Sequence, residues 1–181
     1  MMKKECLELL DLIDIKNVEL TKYLQAFESS QLTRIPADGK WSAIMTMHHL
    51  ILAEGGSIAY CKKKMSFNPE LVDATEEQIK METKLPYLLR SPKYKVEAPQ
   101  GLSVEFLDNT MTLDQASEKW IAVRKEVRDF IKNQPDVNFS KVLYKHPLAG
   151  KMRLIGMLMF FDGHLDSHIS QIKSNFDLSA H

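Results

Sequence analysis

The 181-residue chain lacks several features that would assign it to a particular class of protein. Its 24 basic and 24 acidic side chains cancel, so its formal net charge is zero. This balance argues against a nucleic-acid-binding protein, which normally carries a basic face. No apolar run approaches the roughly 20 residues that cross a bilayer as a helix. Lys3 and Lys4 are followed by acidic residues from Glu5 onward, which interrupt any signal-peptide core.

Cysteine is also scarce, because Cys6 and Cys61 are the only two in the chain. They lie far apart in the sequence, and neither belongs to a Cys-x-x-Cys motif. This spacing argues against a disulfide or a zinc pair and favours two reduced helix residues. We therefore expect a cytoplasmic protein with neither a membrane span nor a nucleic-acid partner.

The length and composition predict a single domain over residues 1–181. Hydrophobic residues make up 44% of the chain and charged residues 27%, as in ordinary globular domains. Because a domain usually holds about 150 residues, two domains would be cramped. No strand-period alternation of apolar and polar residues competes with the helical pattern, which favours an all-α fold.

Four long segments show the three-to-four-residue spacing of apolar side chains that is typical of amphipathic helices. Their predicted ranges are Lys3 to Ser29, Ser42 to the lysines at 62–64, Thr112 to Asn133, and Met152 to Phe176. Ser42 suits the N-cap of the second helix, and Thr112 with Gln115 forms a capping box at the third. Four such helices predict a four-helix bundle, which builds its metal sites from inward side chains on facing helices.

The segment from Met65 to Met111 is less regular and is predicted to be a long crossover between the second and third helices. It contains four prolines. Residues Glu76 to Leu89 are expected to form short helices that Pro86 limits. A connection of this length inside a compact domain usually has a function or a structure of its own.

Two packing features can also be predicted. Gly55 and Gly56 lie inside the second helix, where each glycine costs about 1 kcal/mol relative to alanine. A close approach of another helix would explain them. Trp41, Trp120 and Phe161 lie in apolar seams and are expected to be buried.

Four of the six histidines form two pairs. His164 and His168 are four residues apart, so a helix places both imidazoles on one face. His48 and His49 adjoin in the second helix, and periodicity does not decide which of them faces the bundle interior. One imidazole from that helix would complete a three-histidine metal site with open positions for water or substrate. A lone histidine on an apolar face, however, is more often a core residue than a ligand.

Four short motifs follow one another along the chain. They are Gly39-Lys-Trp-Ser42 with His49-Leu50, the extended segment Lys95–Pro99, the turn His146-Pro-Leu-Ala-Gly150, and Phe161-x-x-His164-x-x-x-His168-x-x-Gln171-Ile172. Each motif is short, but together and in this order they resemble the DinB/YfiT-like proteins, a family of four-helix metalloproteins. The resemblance spans nearly the whole chain and implies a DinB/YfiT-like bundle.

The resemblance implies that His49, His164 and His168 are metal ligands and that His48 points away, toward a polar contact or solvent. Three neutral imidazoles suit Zn²⁺ or Ni²⁺ best and also accept Mn²⁺ or Fe²⁺. The family includes thiol S-transferases, thiol-dependent isomerases and metal-dependent hydrolases. The implied reactive group is therefore a metal-bound water or thiol, which acts on a small molecule. A low-molecular-weight thiol is a candidate partner, and a homodimer is compatible with such a bundle.

Some features leave the function open. Family members often carry a basic residue before the last histidine, and Ser167 stands there instead, which argues against a charge-based substrate contact at that position but not against the metal ligands. No independent general acid or base pattern accompanies the histidines, so the alternative is a non-catalytic metal-binding or interaction bundle. Glu54, Asp162 and Gln171 are candidates for hydrogen bonds that orient the imidazoles.

Overall fold

The computed structural model describes residues 2–36, 40–91, 93 and 103–177, and it contains the predicted helical bundle. Its α-helices, in chain order, are α1 Met2–Leu24, α2 Ser29–Leu32, α3 Ala43–Ser66, α4 Glu76–Arg90, α5 Leu113–Asn133 and α6 Leu154–Asp177. Both α1 and α3 pack against α5 and α6, which closes a ring of four long helices. The first residue of the Gly39–Ser42 motif and the segment Lys95–Pro99 lie outside the described residues.

The helix starts are confirmed where capping residues had been identified. Oγ of Ser42 accepts a hydrogen bond from the N–H of Met45 at 3.1 Å. Thr112 and Gln115 form a reciprocal box, in which each side chain accepts a bond from the backbone N–H of the other. These bonds satisfy donors that the first turn of a helix leaves open. The bond to Ser42 fixes where α3, which carries His49, begins, and the Thr112–Gln115 box fixes where α5 begins.

Two other predicted boundaries were wrong. α1 ends at Leu24 rather than Ser29, because Glu28 starts the separate short helix α2 with a capping box of its own. α6 begins at Leu154 rather than Met152, because Met152 belongs to a strand.

That strand is part of a small antiparallel hairpin that the sequence pattern did not predict. Its strands are β1, Tyr144–His146, and β2, Gly150–Met152. Three residues are too few for a detectable alternation of apolar and polar positions. Gly150 has φ +78°, a left-handed conformation that glycine adopts without steric cost. The hairpin packs on α3 and α6 and therefore lies close to the helices that carry the histidines.

The described part of the crossover contains a continuous α-helix, α4, which packs along the outside of α6. The expectation that Pro86 would limit it to short pieces was wrong. Proline removes one intrahelical hydrogen bond, but Pro86 is buried against Gly163 of α6. A Cβ placed on Gly163 would lie 2.6 Å from Cα of Pro86. The two backbones are therefore so close that a residue larger than glycine at position 163 would clash with Pro86.

The close approach predicted at Gly55 and Gly56 is therefore not where it was expected. A Cβ on Gly55 would lie 3.7 Å from Val123, an ordinary contact, and one on Gly56 would meet nothing within 4 Å. Within α6, Gly156 and Gly163 are the glycines that permit close packing, since a Cβ on Gly156 would lie 2.5 Å from Cγ of Glu82.

Burial follows the prediction for two of the three aromatic residues. Trp120 and Phe161 are fully buried in the core. Trp41 is only half-buried, because it precedes α3 at the edge of the histidine cluster. None of the helices within the described residues combines the length and the apolar character that a bilayer-spanning helix requires.

Candidate metal centre

Three histidines from two facing helices converge on one point. Nε2 of His164 lies 3.1 Å from Nε2 of His49 and 3.0 Å from Nε2 of His168. One ring nitrogen of each residue lies within 4.8 Å of those of the other two. Two nitrogens that each bind one ion at about 2.0–2.1 Å lie about 2.9–3.4 Å apart for bond angles from about 90° to 110°. The observed spacing therefore fits a shared metal ion.

The secondary structure explains this convergence. His49 lies two turns into α3 and is buried, with 4% of its surface exposed. His164 and His168 are one turn apart on α6, so their half-buried rings point the same way. His48 lies on another face of α3, where its Nδ1 accepts a hydrogen bond from the backbone N–H of Asp108 at 2.9 Å. Periodicity left His48 and His49 as alternatives, and the structure brings His49 to the other two histidines.

Hydrogen bonding alone does not account for the short contacts. A neutral imidazole has one N–H and one lone pair. Nε2 of His164 can therefore exchange a hydrogen bond with only one of its two close neighbours, His49 or His168. The other pair of nitrogens would face each other without a bond, at a cost in free energy. A cation that receives all three lone pairs removes this conflict.

One of the imidazoles is held by a neighbour on the same helix. Nδ1 of His168 donates a hydrogen bond to Oε1 of Gln171 at 2.8 Å, which leaves the Nε2 lone pair for a metal. Gln171 thus confirms one of the three predicted orienting contacts. Nδ1 of His164 is buried and forms no hydrogen bond within the described part of the chain.

The other two predicted orienting contacts were wrong. Glu54 is buried in the bundle core, where it accepts hydrogen bonds from Nε1 of Trp120 and from Arg124. Asp162 forms ion pairs with Lys16 and Arg90. Each carboxylate lies on a different face of its helix from the histidines, where it forms an ion pair with a nearby cation.

Aromatic rings line the histidine cluster. The ring of Trp41 lies nearly parallel to His168, with centroids 6.1 Å apart, and 4.8 Å from the ring of His49. Phe160 stacks on His164 with centroids 5.1 Å apart and planes 20° apart. These contacts restrict rotation of the imidazoles and keep part of the surrounding water away.

Burial keeps the imidazoles of His164 and His168 neutral at physiological pH. It lowers the pKa of His168 to about 4, with a further lowering by His49 and an opposing effect of the bond to Gln171. Burial also holds the pKa of His164 well below its usual range, assisted by the neighbouring histidines. Neutral imidazoles have the free lone pairs that metal binding requires.

Sequence reasoning did not identify two residues that border this cluster, Phe160 and His146. Their rings pack edge to face, with centroids 4.5 Å apart. Phe160 lies one turn before His164 on α6, a spacing that could have indicated it. His146 had been recognised only as part of a turn, because its approach to α6 depends on a hairpin that the pattern did not predict.

A comparison with protein-family models agrees with this geometry. The model of the DinB superfamily matches residues 15–172, which is most of the chain and includes all three histidines. No curated protein and no solved structure shows a significant match.

Proposed function

Because the chain belongs to the DinB superfamily, we propose that its three clustered histidines bind a divalent transition metal and that the protein is a metal-dependent enzyme acting on a small molecule. The observation that carries the proposal is the convergence of three Nε2 atoms, those of His49, His164 and His168, with spacings of 3.0 and 3.1 Å. Three protein ligands, with no fourth among the described residues, are typical of metal sites that keep positions open for reaction.

The donor set decides which metals are candidates. Neutral imidazoles favour Zn²⁺ or Ni²⁺, and Mn²⁺ or Fe²⁺ are further candidates. When bound, such a metal supplies a Lewis acid that activates a coordinated water or thiol. The residues of the chain contribute the geometry: Gln171 fixes the tautomer of His168, while Trp41 and Phe160 stack on the imidazoles.

Two reaction classes follow from this arrangement, hydrolysis and transfer to a low-molecular-weight thiol. Both need an activated nucleophile and room for an electrophilic atom beside it. Trp41, Phe160 and Gln171, which touch the imidazoles, carry no charge. This favours a substrate whose reacting part is uncharged, because a buried charge without a partner is costly.

A second candidate function is a non-catalytic metal-binding bundle. It is favoured by the ion pairs of Glu54 and Asp162, which commit both carboxylates to structural contacts instead of general-base chemistry. The two functions share the metal site and differ in turnover.

The experiment is elemental analysis of protein purified without a metal-affinity tag, followed by activity measurements. About one metal ion per chain is expected in the wild type, and none in His168→Ala. The loaded proteins are then given a panel of small thiols with a haloarene electrophile, and a panel of simple esters, over about pH 5 to 9. Equal turnover by the wild type and His168→Ala would exclude metal-centred catalysis. A stoichiometric metal without turnover on thiol or ester substrates would favour the non-catalytic bundle.

A further inference from the structure

A cluster of four charged side chains holds α6 on the side away from its two candidate ligands, His164 and His168. Asp162 and Asp166 come two residues before these histidines. Two residues correspond to about 200° of rotation around a helix, so the carboxylates lie on the side of α6 opposite the imidazoles. The cluster therefore contacts the turn that presents both histidines, but from the side that faces away from His49.

Two cations complete the cluster, and each of them contacts both carboxylates. Nζ of Lys16 on α1 lies 2.6 Å from Oδ1 of Asp162 and 2.8 Å from Oδ1 of Asp166. Nε of Arg90, the last residue of α4, donates to Oδ2 of Asp166 at 2.8 Å, and its Nη2 donates to Oδ2 of Asp162. The four side chains are between 18% and 34% exposed. Because they are partly buried, these ion pairs are screened less than fully exposed ones.

The two cations link the ends of one helical turn. Two carboxylates four residues apart on a helix repel each other and weaken it. Lys16 and Arg90, which come from two other helices, replace this repulsion by attraction to shared cations. The pitch of the turn from residue 162 to residue 166 is therefore restrained, and this turn overlaps the one from His164 to His168.

A backbone contact in the same turn adds to the restraint. A Cβ on Gly163 would lie 2.6 Å from Cα of Pro86, so the backbones of α6 and α4 touch there. Arg90 follows Pro86 by one turn of α4 and grips the same part of α6. Rotation of α6 about its axis would break these contacts and swing both imidazoles away from His49. A working metal site needs its ligands held to within about 0.5 Å and 10–20°.

We propose that Arg90 and Lys16 are positioning residues of the metal centre. By binding both carboxylates of the cluster, they fix the rotation and the pitch of the α6 turn that presents two of the three candidate ligands. The proposal rests on the proposed function, because it requires a metal at the three histidines. It also gives α4, which lies outside the ring of four long helices, a part in metal binding.

Three substitutions on α4 separate this role from a general contribution to stability. Arg90→Met removes the charge and keeps a long side chain. Arg90→Lys tests rescue, because Lys16 shows that one ammonium group can reach both carboxylates. Glu82→Gln is the matched control, since it removes a charge from another ion pair between α4 and α6. There, Oε2 of Glu82 accepts a bond from Nη2 of Arg153 at 2.7 Å, about three turns of helix before His164.

The test uses the full chain and Co²⁺, whose binding is followed by visible absorption in competition with a chelator. The dissociation constant for Co²⁺ is expected to rise about tenfold or more in Arg90→Met, the lower end of the usual effect of removing groups that orient metal ligands. It should stay within a few-fold of the wild type in Arg90→Lys and in Glu82→Gln. Loss of charge alone predicts the opposite result, because removing a cation near a dication strengthens metal binding. The Co²⁺ bands should also change in Arg90→Met, since they depend on the geometry of the ligands.

A folded Arg90→Met with wild-type or higher affinity for Co²⁺ would overturn the proposal and leave the metal site intact. An equal loss of affinity in Arg90→Met and Glu82→Gln would also overturn it, because the effect would then follow from a general loosening of α4. If Arg90→Met does not fold, Lys16→Met removes the other cation of the cluster and carries the same expectation. A wild type that binds no Co²⁺ would overturn the proposed function and this inference with it.

Discussion

Nδ1 of His168 donates a hydrogen bond to Oε1 of Gln171 at 2.8 Å, and both residues lie on the same face of α6, three positions apart. One turn of helix therefore supplies both a candidate ligand and the group that orients it. The bond places the proton on Nδ1 and leaves the Nε2 lone pair facing Nε2 of His164, 3.0 Å away. Gln171 thus determines which tautomer His168 presents before any metal arrives.

We expect Gln171→Leu to weaken metal binding by about 10- to 100-fold, the usual effect of removing a group that orients a metal-bound imidazole. Gln171→Glu should bind at least as tightly as the wild type, because a carboxylate is a stronger acceptor for the Nδ1–H. Competition with a chelator of known affinity measures both. Ser170→Ala is the control, since among the described residues the Ser170 hydroxyl bonds only to its own helix. Equal affinities in all four proteins would show that the bond has no role in metal binding.

The sequence predicted the bundle and the shared face of His164 and His168 because both depend on local patterns. His164 and His168 are one turn apart on a helix, so their common orientation follows from helix geometry alone. The choice between His48 and His49 did not follow from periodicity, because α3 is apolar on several sides. The family resemblance selected His49, and the structure agrees.

The remaining features depend on contacts between distant parts of the chain. Glu54 and Asp162 resembled partners of the imidazoles in sequence, but cations on other helices pair with them. Pro86 appeared to end a helix, yet the packing of α4 on Gly163 of α6 accommodates it. Long-range pairings of this kind leave no periodic signal in a single sequence.

A buried ion pair that had not been predicted connects α3 to α5. Nη2 of Arg124 donates to Glu54 at 2.8 Å, and the two side chains are 5% and 1% exposed. We expect Arg124→Leu to destabilise the protein by about 3–5 kcal/mol, because it leaves a buried carboxylate without its cation. The double variant Glu54→Leu/Arg124→Leu should lose less than the sum of the two single variants.

Urea unfolding of the two single variants and the double variant measures this coupling. Lys125→Leu on the same helix is the control, since Lys125 pairs with Asp129 on the surface and such pairs contribute about 0.2–1 kcal/mol. Additive losses in the double variant would mean that Glu54 and Arg124 act independently.

Two glycines of the bundle should respond to alanine in opposite ways. In Gly163→Ala, the new Cβ would lie 2.6 Å from the backbone of Pro86, so α4 must move away from α6. We expect a loss of about 1–3 kcal/mol. In Gly56→Ala, the Cβ meets nothing within 4 Å, and alanine should stabilise α3 by about 0.5–1 kcal/mol. Thermal or urea unfolding measures both changes, and a stabilising Gly163→Ala would contradict the close packing of α4 on α6.

The metal-free protein should lose stability as the pH falls from about 6.5 to about 4. His146 and His168 have pKa values of about 4 in the folded protein and an ordinary value of 6.5. Between these values the unfolded chain binds protons that the folded chain does not, so stability decreases with decreasing pH.

Each histidine contributes up to about 1.4 kcal/mol per pH unit. Urea midpoints between about pH 7 and pH 4.5 measure this slope, which should be shallower in His146→Asn because one of the contributing groups is gone, while His168 and His164 remain. Carboxylates with lowered pKa values, such as Asp73, titrate below this window and do not interfere. A midpoint that stays constant across the window would mean that the imidazoles are not buried in neutral form.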